Sequence, residues 1–84
     1  MPYVRIERKK ALDPLIQSLA EQVTNPGDMA YVVTRLMVAQ TPPEPRYADL
    51  CTVYGNILLT AQEFWRRVVA PYENKKWLEN GDGF

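Results

Sequence analysis

YADLCTVYGNILLTAQEFWRRVVA, residues 47–70, decides the fold. Within it Leu50, Val53, Tyr54, Ile57, Ala61, Phe64 and Val68 recur three and four residues apart, the spacing that lines one face of an α-helix. Leu58, Trp65 and Val69 widen that stripe beyond a two-helix seam, so the helix is predicted to meet both the rest of its own chain and a second subunit. Gly55 would let another backbone come close. Downstream, Pro71 lacks the amide that would bond the Arg67 carbonyl, so a kink or restart is predicted near Val69–Tyr72. A short last helix then runs from Pro71 to about Glu79 and stops at Asn80-Gly81, a C-cap pair.

Upstream, Thr41-Pro42-Pro43-Glu44-Pro45 puts three prolines in four positions, which removes backbone donors and favours a stiff, extended linker. Ahead of it lies a helical hairpin. Asp13-Pro14 reads as a helix start, and Leu12, Leu15, Ile16, Leu19, Ala20 and Val23 follow at helical spacing to about Thr24. Asn25-Pro26-Gly27-Asp28 is a turn in which Asp28 caps a second helix, Met29 to Gln40, striped by Val32, Val33, Leu36 and Met37. Strand-like runs at Tyr3–Ile6 and Tyr31–Val33 are respectively too short for a sheet and inside a helical stripe. The expected fold is all-α in a single helical domain, residues 1–84: a helical hairpin, a long third helix broken near Pro71, and a short C-terminal helix.

Composition removes several classes. A chain of 84 residues buries only roughly 60–65% of its unfolded surface, so self-association is expected to supplement a small core. No apolar run approaches the roughly 20 residues that cross a bilayer, and the charged start MPYVRIERKK is not a secretory signal. The expected location is therefore the cytoplasm, with no membrane partner. One cysteine, Cys51, excludes an intrachain disulfide, and the absence of histidine removes the usual nitrogen ligands of zinc, copper and iron. No metal or other cofactor is expected. Ten basic residues balance ten acidic ones, which argues against non-specific nucleic-acid binding. The balance is uneven along the chain: basic over 5–10, acidic over 13–28, and basic again over 63–76.

That late basic run holds the candidate site. Arg66, Arg67, Lys75 and Lys76 would offer guanidinium forks and ammonium groups to an anion if the chain turns at Pro71. Tyr72 and Trp77, with Trp65, would stack on a base. The simpler reading is that these charges are solvated or paired with Glu63 and Glu73. Arg35 is expected to pair with Asp28 or Asp49, and Tyr31, Tyr47 and Tyr54 to be packed with one satisfied hydroxyl each. Cys51 without a histidine reads as a small buried apolar residue rather than a nucleophile. No two carboxylates share a helix face at a catalytic spacing, and neither Asn25–Asp28 nor Asn80–Gly83 has the ligand count of a calcium loop. The chain is not expected to be an enzyme.

Three stretches, NPGDMAYVVTRL (25–36), RYADLCTVYGNI (46–57) and FWRRVVAPYENKKWLENGD (64–82), resemble a family of small proteins of unknown function found in bacteriophage and bacterial genomes. The resemblance spans nearly the whole chain, and its most specific part is RRVVAPYE followed by KK and ENGD. This chain departs from the family pattern at Trp65, where tyrosine is usual, at Trp77 after the two lysines, and in its Gly83-Phe84 end. What the resemblance implies is a helical fold in a phage-type context, without assigned catalytic residues. Two functions follow as expectations. One is a homo-oligomer that sequesters a small anionic, nucleotide-like ligand such as a host immune signal, using Arg66, Arg67, Tyr72, Lys75, Lys76 and Trp77. The other is a module that docks on a host or phage protein through Trp65, Trp77 and Phe84.

Overall fold

The computed structural model describes residues 4–81, and every regular element among them is helical. They form α1 (Ile6–Gln22), α2 (Pro26–Ala39), α3 (Tyr47–Phe64), a π turn at Trp65–Val69 and α4 (Ala70–Asn80). The expected all-α plan of hairpin, long third helix and short last helix forms, with the break expected near Pro71 taken up as a bend at Trp65–Val69. The chain divides into two units, Met1–Pro42 and Pro43–Phe84, so the boundary falls within the proline cluster. Phe84 and the Asp82-Gly83 pair lie outside the described residues.

In the first unit α1 begins at Ile6, not at Asp13. Residues 7–12 are Glu, Arg, Lys, Lys, Ala and Leu, all strong helix formers, and Glu7 lies in the first turn where the helix dipole favours a negative charge. Their combined propensity carries the helix through Pro14, which sits inside α1 and removes the amide due to the Lys10 carbonyl. Pro14 is exposed, so water can meet that carbonyl.

The connection to α2 also differs from the expected turn. Asn25, not Asp28, is the N-cap: its Oδ1 accepts from the Asp28 backbone N–H at 2.8 Å. Pro26 takes the first helical position, where a missing amide costs nothing. Asp28 instead reaches back, accepting from the Thr24 N–H at 3.2 Å and from the Thr24 hydroxyl at 3.3 Å. Gly27 lies within α2, and among the described residues only Gly81 has a positive φ. An apolar groove of about 390 Å³ runs between α1 and α2, lined by Ile16, Leu19 and Val23 from one helix and Met29, Val33 and Leu36 from the other.

The second unit is a single helical path from Tyr47 to Asn80 that changes winding once. At its start the Arg46 N–H donates to Asp49 Oδ2 at 2.9 Å, satisfying an end amide that the helix cannot. On the polar face the Thr52 and Thr60 hydroxyls bond back to the carbonyls of Ala48 (2.9 Å) and Asn56 (2.8 Å). At its end Gly81 adopts φ +79° and returns its N–H to the Trp77 carbonyl at 2.8 Å, the expected glycine stop.

Pro71 is accommodated by the π turn. A proline ring collides with the carbonyl four residues earlier, here Arg67, so the relief has to come upstream of the proline. The helix widens over Trp65–Val69, where the Ala70 N–H reaches back five residues to the Trp65 carbonyl. Helical dihedrals continue on both sides, with φ/ψ of −61/−44° at Phe64 and −62/−44° at Ala70. The chain bends here without leaving the helix.

Among the described residues no side chain in either unit is buried. Each unit therefore has amphipathic helices but no closed interior.

Candidate functional site

The π turn sets the first half of the candidate site. Glu63, Arg66 and Arg67 stand three and four residues apart, so they share one side of the helix. Arg66 Nη2 lies 2.5 Å and Arg67 Nε 2.8 Å from the same Glu63 oxygen, Oε1. Glu63 is the more sheltered member, at 21% side-chain exposure against 68 and 69% for the arginines. The Arg66 hydrogen bond, with the charge of both guanidiniums, holds the Glu63 carboxyl below its ordinary value, and Glu63 in turn raises Arg66. One carboxylate against two guanidiniums leaves a single positive charge in excess at this side of the helix.

The second half lies on α4. Lys76 Nζ sits 5.6 Å from the centre of the Tyr72 ring, one turn back, and 3.3 Å from Glu79 Oε2, one turn on. This is a cation–π contact in series with an exposed ion pair. Trp77 and Leu78, on other sides of the same helix, are 55 and 78% exposed. Lys75 and Glu73 form no ion pair among the described residues.

The six candidate residues thus form two clusters. Arg66 joins Arg67 through Glu63, and Tyr72 joins Lys76; Lys75 and Trp77 belong to neither pairing. Because the helix persists past Pro71, the centres of the two clusters stay roughly 10–15 Å apart along its axis at 1.5 Å per residue. The apolar groove is elsewhere, on α1 and α2.

Other expected contacts differ. Arg35 makes no ion pair with Asp28, whose carboxylate accepts from Thr24 instead, and the Asp49 carboxylate accepts from the Arg46 backbone. Tyr31, Tyr47 and Tyr54 are exposed rather than packed, and so is Cys51, because neither unit closes a core around them. Glu79 was missed as a partner of Lys76, although its i,i+3 spacing from that lysine was legible. Among the described residues no helix is long and apolar enough to cross a membrane, and no three acidic or cysteine side chains converge as a metal site would require.

A family model described as a domain of unknown function (DUF6899) matches residues 1–82. No curated protein and no solved structure matches the chain.

Proposed function

The chain belongs to that family, and from this premise we propose that it is a non-enzymatic, homo-oligomeric interaction protein whose α4 docks on a partner protein in the cytoplasm. One observation carries the reading: Tyr72, Trp77 and Leu78 remain more than half exposed on an 11-residue helix that also presents Lys75 and Lys76. Tyrosine and tryptophan recur as interface anchors because each contributes a large rigid area with few torsions to freeze. Truncation at the anchors tests it. Trp77→Ala and Tyr72→Ala, each with helicity checked by circular dichroism, should weaken capture of a partner purified against the full chain by at least about tenfold. Undiminished capture by both variants would remove the reading.

The guanidinium pair favours a second function, capture of a small anion of nucleotide type, a host immune signal in a phage setting. Two forks held on one carboxylate leave donors and one net charge free for a phosphate. Calorimetry against nucleotides and cyclic nucleotides, with Arg66→Ala and Arg67→Ala as controls, tests it directly. No heat from any of them at high micromolar concentration ends it.

A further inference from the structure

We propose that two copies of the chain pair through the apolar stripe of α3 and the π turn, each presenting the same face to the other. This rests on the homo-oligomeric part of the function proposed above and identifies the surface that performs it.

The stripe is wider than one neighbour needs. At 100° per residue the apolar stripe of α3, from Val53 and Phe64 round to Leu58, fills an arc of roughly 140°, whereas a helix that packs on one surface needs a stripe of about 100°.

The stripe is also large enough. Leu50, Tyr54, Leu58, Phe64, Trp65 and Val68 are each between 46 and 62% exposed. The three aromatics keep about 350 Å² of accessible area at 150–250 Å² per fully exposed ring, and the aliphatics bring the total to about 550 Å². With the flanking atoms that any contact also covers, this approaches the roughly 800 Å² per partner of a standard interface.

Charge selects a second copy as the occupant. In a two-fold pairing a patch meets itself, so any net charge within it would face its own sign. The stripe carries none: the charged groups of α3 and the π turn are Asp49, Glu63, Arg66 and Arg67, and the last three hold one another off the stripe. Size independently calls for association. Each unit has about 40 residues, the range in which isolated folds depend on disulfides, metals or association. A lone cysteine and no histidine leave association.

The test uses the full chain. Mass by sedimentation equilibrium at tens of micromolar is expected to be twice the 9.7 kDa of one chain. Leu58→Asp and Phe64→Glu act on both copies at once, so each should weaken pairing by at least about 100-fold. Asn56→Arg, on the polar face, should leave pairing unchanged. Should the stripe variants fail to fold, the unsubstituted chain still gives an answer: a spin label on Cys51, exposed near the stripe edge, should show dipolar coupling between copies. A mass of one chain at these concentrations would overturn the proposal. So would a dimer unaffected by both stripe variants but lost in Leu36→Asp on α2, or a dimer without coupling between labels. Failure here is distinguishable from failure of partner docking: a monomer whose docking still depends on Trp77 loses the pairing alone, and a stripe-dependent dimer indifferent to Trp77 loses the docking alone.

Discussion

Glu63 is the residue on which the basic segment depends. It accepts from Arg66 and Arg67 at once, and its carboxyl is held below the ordinary glutamate value of 4.5, first by the Arg66 hydrogen bond. A lowered folded-state value means that the stability from this pairing is complete above the ordinary value and is lost as pH falls through the lowered one. NMR titration of Glu63 should therefore give an acidic midpoint that rises in Arg66→Ala; a midpoint indifferent to that substitution would contradict the geometry. Asn25 carries a second prediction. Its Oδ1 satisfies the Asp28 amide, so Asn25→Ala should cost about 1 kcal/mol, read as a fall of roughly 5 °C in melting temperature. At this scale the sequence was legible where one residue has one backbone job, as at Asn80-Gly81. It misled where two candidates compete: Asn25 and Asp28 are both good caps, and the proline at position 26 decides for Asn25 by requiring the first helical position.

Among the elements, the π turn explains why a proline was read correctly as a disturbance but one turn too late. The stretch NILLTAQEFWRRVVAPYENKKW has helical spacing throughout, and the missing amide at Pro71 marks a defect without saying where the chain absorbs it. The collision is with Arg67, so widening falls on Trp65–Val69. Pro71→Ala should let those residues return to regular α winding, detectable as new i→i−4 amide connectivities over 66–71 and a gain of about 1 kcal/mol, below the roughly 3 kcal/mol of an unrelieved helical proline. Unchanged connectivities would mean that the turn is held by something other than the proline. The same logic covers α1, where Asp13-Pro14 imitates a start because cap and proline are adjacent, while six good helix formers ahead of them extend the helix to Ile6. The candidate site was legible as composition and not as geometry: spacing identified Arg66, Arg67, Tyr72, Lys75, Lys76 and Trp77, but their convergence required a true break, and the widened turn keeps the two clusters in line.

For the molecule as a whole, helix spacing made the all-α plan and the proline boundary legible from the start. Periodicity records which face of a helix is apolar and not what covers it, so the lack of a buried side chain among the described residues could not be read from spacing. Where pairing supplies the missing cover, mass action ties stability to concentration. A hundredfold dilution should lower the melting temperature by several degrees, and Leu58→Asp should flatten that dependence. A melting temperature constant over two decades of concentration would separate folding from association.

An unfilled interior has a consequence in the cell. Under the pairing proposed above, newly made chains would remain open to proteases until enough copies accumulate to meet, and assembled protein would then rise with the square of the amount synthesised. The stripe on α3 would in this way act as a threshold device, suppressing low-level expression and stabilising a burst.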